Sequence, residues 1–181
     1  MLKTPGQMTV PELDELRKVC TRVGPGGYAV EIGSLYGLSS NAIAAAIPRD
    51  ATLFCIDPWV REQWIVDLVE AKNENCPLFS KDAFLRFTSS HLNIVPLEGY
   101  SPRDFGSWAL PVDLVFEDSI HQNPILASNL LHWLKQLKDG GILCGHDYSD
   151  QWPDVIREVD RISRQRGAEL HVVDSFWWMQ V

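Results

Sequence analysis

No apolar run in this chain of 181 residues approaches the ~20 residues that a membrane-spanning helix needs. Basic runs are absent too, and 24 acidic residues against 16 Lys and Arg give a formal net charge of −8. Such a chain lacks the electrostatic footprint for nucleic acid or an anionic membrane, so we expect neither as its primary partner. The 45% hydrophobic content argues against disorder and allows a sizeable core.

Signals for secretion and for disulfides are also missing. The N-terminus, MLKTPGQMTV, lacks the apolar core of a signal peptide. The four cysteines show no CxxC spacing and are interpreted as reduced thiols of a cytoplasmic protein: Cys20, Cys55, Cys76 and Cys144. Without repeats, low-complexity segments or linkers, residues 1–181 are predicted to form a single domain, and a homo-oligomer is left open.

Short apolar segments alternate with amphipathic ones. A helix is predicted over Met8–Val23, with Thr9 as its cap, followed by strands at YAVEIG, ATLFCIDP, NIVPLEG, VDLVFED and GILCGHD. Further helices are predicted at LSSNAIAAAI, over Trp152–Arg166, and as a weaker pair between Trp59 and Leu92. The segments ELHVV and SFWWMQV predict a terminal strand pair.

This alternation predicts an α/β fold: a Rossmann-like, doubly wound, seven-stranded, mainly parallel sheet with an antiparallel C-terminal strand and helices on both faces. The strongest helix signal is NPILASNLLHWLKQLKDGG, where we expect Asn123 as the cap, Pro124 in the first position and Gly140 at the end. Its core stripe consists of Leu126, Leu130, Leu134 and Leu137.

Polar residues follow five of the predicted strands at their carboxyl ends. They are Glu31 and Gly33; Asp57, Pro58 and Trp59; Glu98, Gly99 and Ser101; Glu117, Asp118 and His121; and His146, Asp147 and Tyr148. In such sheets ligands bind beyond the carboxyl ends of the strands, near the point where strand order reverses. We therefore place the candidate site at this edge.

The stretch VEIGSLYGLSS has the spacing E-x-G-x-x-x-G, which differs from the G-x-G-x-x-G of dinucleotide binding. Gly33 and Gly37 let the backbone approach a ligand because no Cβ intervenes, and Glu31 favours a cationic ligand over a pyrophosphate. The alternative is that both glycines only turn the chain into a helix. Asp57, 26 positions after Glu31, can accept both hydroxyls of a ribose, or it can serve as a turn or capping residue before Pro58.

Five segments in order resemble successive motifs of class I S-adenosylmethionine-dependent methyltransferases: VEIGSLYGLSS, LFCIDPW, PLEGYSPRDF, DLVFEDSIH and LKDGGILCGHDY. Over about Tyr28–Arg166 the chain is most similar to the small-molecule O-methyltransferase branch that includes macrocin O-methyltransferase-like proteins and, more distantly, catechol O-methyltransferase. The resemblance implies that S-adenosyl-L-methionine is bound and that its methyl group goes to a small-molecule acceptor.

The resemblance also implies residue roles. The glycine loop would lie against the methionine part of the cofactor, with Glu31 at its amino end, directly or through water. Asp57 resembles the ribose-binding acid, and Gly99 and Ser101 lie where the family forms its adenine pocket, although Ser101 could instead cap a helix before Pro102. The implied cofactor-binding set is Glu31, Gly33, Ser34, Gly37, Asp57, Pro58, Trp59, Gly99, Ser101 and Asp118.

On the acceptor side, an alcohol needs a general base or a metal to lose its proton. We predict His121 or His146 as the base, with Asp118 beside them, because a carboxylate partner raises a histidine pKa and would poise it near neutrality. The segment DSIH matches the Asp-Gly-x-His of related families except at Ser119.

A divalent metal is the other device that the resemblance implies. In metal-dependent relatives, acids after strands four and five hold Mg²⁺, and Asp118 and Asp147 could supply such oxygens. His146 is a departure, because Mg²⁺ prefers oxygen whereas imidazole suits transition metals such as Zn or Fe. The alternative is that both acids hydrogen-bond loop backbone and hold no ion.

Residues 59–92 lie where relatives carry a cover over the acceptor, so tryptophans there could sandwich a planar or apolar acceptor. The leading interpretation is S-adenosylmethionine-dependent methyl transfer, at a hydroxyl oxygen. Two others stay open. One is a cofactor-binding module without catalysis. The other is a nicotinamide-dependent oxidoreductase, which the missing glycine of G-x-G-x-x-G disfavours.

Overall fold

A computed structural model describes residues 3–73 and 76–181 of the protein. Within them the strands are β1 (Tyr28–Ile32), β2 (Thr52–Asp57), β3 (Ile94–Glu98), β4 (Val112–Glu117), β5 (Leu137–Gly145), β6 (His171–Val173) and β7 (Phe176–Gln180). The helices are α1 (Val10–Cys20), α2 (Leu38–Ala46), α3 (Gln63–Ile65), α4 (Lys81–Thr88), α5 (Ile125–Leu134) and α6 (Pro153–Arg166). A π-helical turn, Val66–Glu70, continues α3, and a 3₁₀ turn spans Arg103–Phe105.

The strands form one sheet in the order β3-β2-β1-β4-β5-β7-β6. Strands β1 to β5 run parallel, whereas β7 pairs antiparallel with both β5 and β6. The predicted fold is confirmed, including the terminal strand pair. Strand order reverses between β1 and β4, so a ligand site is expected at their carboxyl ends.

Helices cover both faces of the sheet, which explains why most of its strands are apolar throughout. On one face, α1, α2 and α4 bury residues such as Leu16, Ile43 and Phe84. On the other, α5 and α6 bury Leu130 and Val159. Among the described residues, no helix has both the length and the apolar character needed to cross a membrane.

Several predicted boundaries move. The first helix is shorter than predicted, although Thr9 caps it as expected and forms a capping box with Glu12. The helix predicted to end at Gly140 stops at Leu134, and Leu137 begins β5 instead. The reason is strand pairing: the N–H of Val112 donates to the carbonyl of Gln136, which recruits this segment to β4.

The start of α5 and the segment after β2 also differ from the prediction. Pro124 is the cap residue rather than the first helical residue, while the Asn123 side chain accepts a hydrogen bond from the N–H of Ala127 at 3.1 Å. Of the two helices predicted between Trp59 and Leu92, α4 is regular, but the first is a three-residue helix followed by the π-helical turn.

Candidate active site

A cleft opens at the carboxyl ends of β1 to β4, where the strand order reverses. It encloses about 730 Å³, including the space open to solvent. Apolar side chains such as Ile32, Ile56 and Ile120 form much of its wall. Of the residues predicted to bind the cofactor, those that line this cleft are Gly33, Asp57, Pro58, Gly99, Ser101 and Asp118.

Position 33 must be a glycine because two loops pack closely there, which the sequence pattern did not show. Its φ is +89°, and an added Cβ would lie 2.2 Å from the carbonyl oxygen of Asp118. No real Cβ approaches backbone so closely, so the loop after β1 can contact the loop after β4 only through a glycine. The two loops that flank the switch point are thereby held together.

Four other predicted residues do not line the cleft: Glu31, Ser34, Gly37 and Trp59. Gly37 precedes α2 with a φ of +92°, and its missing Cβ makes room for Thr88 of α4. Trp59 is buried against Phe84, and its indole N–H donates to the carbonyl of Leu35. Gly37 and Trp59 therefore contribute to packing and do not line the cleft.

Glu31 has no exposed surface, and the Ser40 hydroxyl donates to its carboxylate. Burial raises the pKa of Glu31, although the serines around it, Ser34 and Ser39 among them, oppose the rise. The structure therefore places this acid in the interior at the end of β1. Of the two contacts expected between Glu31 and the cofactor's amino end, direct or through water, this enclosure leaves the one through water as the prediction.

Asp57 lies at the end of β2 with its carboxylate anchored at both oxygens. Oδ2 accepts the N–H of Leu35 at 2.9 Å, and Oδ1 accepts the N–H of Trp59 at 2.6 Å. Burial raises the pKa of Asp57 to about 6 despite these hydrogen bonds. Each oxygen keeps a lone pair, so the group can both brace the loops and accept ligand hydroxyls.

Ser101 has a fixed orientation on the far side of the cleft. The indole N–H of Trp133 in α5 donates to its hydroxyl oxygen at 2.8 Å. The hydroxyl hydrogen of Ser101 is thus left for another acceptor. Next to it, Tyr100 presents an aromatic ring that is 45% exposed, suited to contact a planar base.

The segment after β2 forms the outer wall of the cleft through Val60, Trp64, Ile65 and Phe79. Glu70 holds this cover in place. It accepts hydrogen bonds from Arg61 at 2.8 and 2.6 Å and from the N–H of Phe79 at 2.8 Å.

A second pocket adjoins the cleft and shares Leu35, Trp64, Asp118 and Ser119 with it. It encloses about 520 Å³ on the same measure, and His121 lies in its wall. Its other side consists of residues 5–8, none of which was predicted as a site residue, because the start of a helix shows no pattern that marks a pocket wall.

Asp118, which lines both pockets, belongs to a group of two acids and two histidines that we call the junction cluster: Asp118, His121, His146 and Asp147. His146 and Asp147 are not among the residues that line either pocket. His121 Nε2 lies 2.7 Å from Asp147 Oδ2 and 3.7 Å from Asp118 Oδ1. His146 Nδ1 lies 3.4 and 3.9 Å from the same two oxygens. The Trp152 ring packs against the His121 ring at a tilt of 32°, with the ring centroids 4.6 Å apart.

The cluster changes the predicted protonation of both histidines. Burial lowers the pKa of His121, but Asp118 and Asp147 outweigh this effect and raise it to about 10. Burial also lowers the pKa of His146. Asp147, Asp118 and Glu12 outweigh this effect and raise it to about 9. The prediction that these rings titrate near neutrality is therefore wrong for the free protein, because each ring faces more than one carboxylate.

The geometry also changes the predicted metal-ligand set. Ligand atoms of Asp118, His121 and Asp147 all lie within 4.8 Å of one another, so His121 joins the two acids. His146, named with them from the sequence, lies beside this group through Nδ1. Two carboxylates and an imidazole could hold a divalent cation.

Comparisons with known proteins agree with the sequence resemblance. A family model described as "Methyltransferase domain" matches residues 30–148. No curated protein matches the chain.

Among solved structures, a proposed caffeoyl-CoA O-methyltransferase from Staphylococcus aureus shares 14% identity at a TM-score of 0.67, covering 98% of this chain and 86% of that one. A proposed O-methyltransferase from Klebsiella pneumoniae shares 16% at 0.59, covering 96% and 91%. A proposed rRNA methylase from Clostridium thermocellum shares 9% at 0.65, covering 97% and 99%. These TM-scores show a common fold. The match to the family model shows that the chain belongs to the methyltransferase domain family.

Proposed function

We propose that this protein transfers a methyl group from S-adenosyl-L-methionine to a hydroxyl oxygen of a small molecule. The observation that carries the proposal is the pair of adjoining pockets that share Asp118, a member of the junction cluster. The cofactor cleft offers a carboxylate for a ribose, a serine hydroxyl for a base and an apolar wall. The second pocket offers a separate place for an acceptor.

Bound S-adenosyl-L-methionine supplies an activated methyl group, and the residues of the chain have three tasks around it. Asp57 and Ser101 would hold the nucleoside through hydrogen bonds. Leu35 and Trp64 line both pockets and would give the place where cofactor and acceptor meet an apolar surface. A deprotonated His121 or His146 would take the acceptor's proton at the junction.

Two experiments test this proposal. Calorimetry with S-adenosylmethionine, S-adenosylhomocysteine and NAD should show binding of the first two only, and binding of NAD alone would contradict it.

An acceptor panel of phenols, catechols and alcohols, monitored for S-adenosylhomocysteine, should then yield product. Cofactor binding without any product would favour a non-catalytic binding module, for which the protonated histidines of the free protein would be the explanation.

We also predict that the junction cluster binds a transition-metal ion such as Mn²⁺ or Zn²⁺ more tightly than Mg²⁺. An imidazole beside two carboxylates favours such ions. Binding must expel ring protons, so affinity should rise with pH. Calorimetric titration of the apo-protein with each ion measures this. Asp147→Asn should abolish the heat, and tighter binding of Mg²⁺ would contradict the prediction.

A further inference from the structure

The carboxylate of Glu12 extends from the N-terminal helix into the wall behind the junction cluster. Glu12 is 1% exposed. Its Oε2 accepts the N–H of Thr9 at 2.7 Å, which completes the capping box of α1. Its Oε1 accepts both the N–H and the hydroxyl of Ser175, at 2.9 and 2.7 Å. A capping box needs only one of these oxygens, so the second has a separate role.

That second oxygen lies against His146. Nε2 of the ring is 3.1 Å from Glu12 Oε1 and 3.0 Å from the hydroxyl oxygen of Ser175. Burial raises the pKa of Glu12, but the hydrogen bonds from Thr9 and Ser175 outweigh it and lower the pKa to about 2. Glu12 is therefore ionised at neutral pH.

The groups next to Nε2 favour a hydrogen on that nitrogen. An ionised carboxylate only accepts, and Ser175 uses its single hydroxyl hydrogen on Glu12. Both neighbours of Nε2 are thus acceptors. A bare nitrogen lone pair 3.1 Å from a carboxylate would be repelled, whereas an N–H there is attracted by the negative charge.

Fixing one end of the ring fixes the other. With Nε2 held, Nδ1 faces Asp147 Oδ2 at 3.4 Å and Asp118 Oδ1 at 3.9 Å. We propose that Glu12 is a positioning residue for the junction cluster: together with Ser175 it holds a hydrogen on His146 Nε2 and thereby presents Nδ1 to Asp118 and Asp147. Any effect of this orientation on an acceptor rests on the proposed function, but the orientation of the ring does not.

Histidine NMR tests the orientation without cofactor or acceptor. In full-length protein labelled with ¹⁵N-histidine, long-range ¹H–¹⁵N correlations show which ring nitrogen carries hydrogen, and His146→Asn identifies the His146 signals. We expect a hydrogen on Nε2 that exchanges slowly with solvent. In Glu12→Gln this hydrogen should exchange faster and its resonance should move. Asp14→Asn is the matched control, because Asp14 lies on the same helix and pairs with Arg17 at the surface.

Enzyme assays then separate positioning from packing. Glu12→Gln, which keeps the shape of the side chain, should lower kcat by about 10- to 100-fold and leave the cofactor Kd unchanged. A residue needed only for packing would tolerate Gln and fail with Ala.

A hydrogen on Nδ1 alone, or an unchanged His146 resonance in Glu12→Gln, would overturn the proposal. If Glu12→Gln does not fold, Ser175→Ala still decides it, because Glu12 is then the remaining acceptor and the Nε2 hydrogen must persist. Should the NMR results hold while no acceptor is methylated, the proposed function fails and the positioning role of Glu12 stands.

Discussion

At the scale of the single residue, the burial of Asp57 makes cofactor binding depend on pH. Because its pKa is raised to about 6, the carboxylate is ionised above this pH and protonated below it. A ribose needs the ionised form as acceptor, so affinity for S-adenosylmethionine should rise with pH through 6. Calorimetry should show binding about tenfold weaker at pH 5 than at pH 8.

The matched variant for this prediction is Asp57→Asn. It should bind the cofactor about 10- to 100-fold more weakly, as expected for loss of a charged hydrogen-bond acceptor. Its affinity should no longer change across this pH range. A variant that kept the pH dependence of the wild type would show that another group is responsible.

The junction histidines predict a second pH dependence, in catalysis. A ring can accept a proton only when deprotonated, and the pKa values of His121 and His146 are raised to about 10 and 9. Without added metal, kcat should therefore rise from neutral pH towards 9, by up to about tenfold per pH unit. Steady-state assays with a product-forming acceptor measure this profile.

Variants decide whether a junction histidine is the base. His121→Asn or His146→Asn should lower kcat and flatten the profile while cofactor affinity is kept. His171→Asn is the control, since His171 lies in the edge strand β6, where its ring stacks on Trp178 of β7. Unchanged kcat in both junction variants would remove the base role from the histidines.

The sequence predicted which chemical groups reach the site better than it predicted where they point. Asp57 and Asp118 line the cleft as expected, but Glu31, from the same strand-end pattern, is enclosed. A parallel strand covered on both faces is apolar throughout, so no alternation of polar and apolar residues marks the direction of its last side chain. Helical periodicity likewise identified Glu12 only as part of a helix, and it does not show the hydrogen bonds that Glu12 accepts from Ser175.

At the scale of the element, the cover after β2 combines little regular structure with one strong anchor. Glu70 ties Arg61, Phe79 and the Tyr36 hydroxyl together, so the outer wall of the cleft depends on a single carboxylate. Glu70→Gln should raise the KM for the cofactor by about tenfold, because a buried N–H and a cation lose their charged partner. The value of kcat should change little, since the junction cluster is held by other elements.

Thermal unfolding and limited proteolysis complete this test. The Tm should stay close to that of the wild type, while the segment around α3 is cleaved faster. Asp67→Asn provides the comparison, because Asp67 lies in the same π-helical turn and accepts only an exposed hydrogen bond from Gln63. Equal KM values for the two variants would contradict an anchoring role for Glu70.

The ends of helices matched the local sequence signals only where no other strand formed hydrogen bonds with the same backbone segment. Thr9 caps α1 as predicted, since a capping box is complete within one turn. The helix expected to continue to Gly140 ends earlier, because the segment from Leu137 pairs with β4. Strand pairing between distant segments has no local signature, so this boundary could not be predicted from helical periodicity.

At the scale of the whole molecule, strand alternation and the ordered motifs were sufficient to predict a doubly wound sheet with both helix layers. The acceptor could not be predicted in the same way. Structures of this fold include a proposed O-methyltransferase and a proposed rRNA methylase at comparable TM-scores, so topology does not distinguish the acceptor classes. Charge and pocket lining are better guides.

These guides predict that the protein does not bind RNA. The formal net charge is −8, and the residues that line the second pocket include no Lys or Arg. Phosphate neutralisation supplies most nonspecific nucleic-acid affinity, and this molecule repels phosphates instead. Fluorescence anisotropy at about 0.1 M salt should show no binding of single-stranded or duplex RNA, with a basic RNA methyltransferase as positive control. Saturable RNA binding that weakens with salt would contradict a small-molecule acceptor and direct the search to a basic surface that net charge conceals.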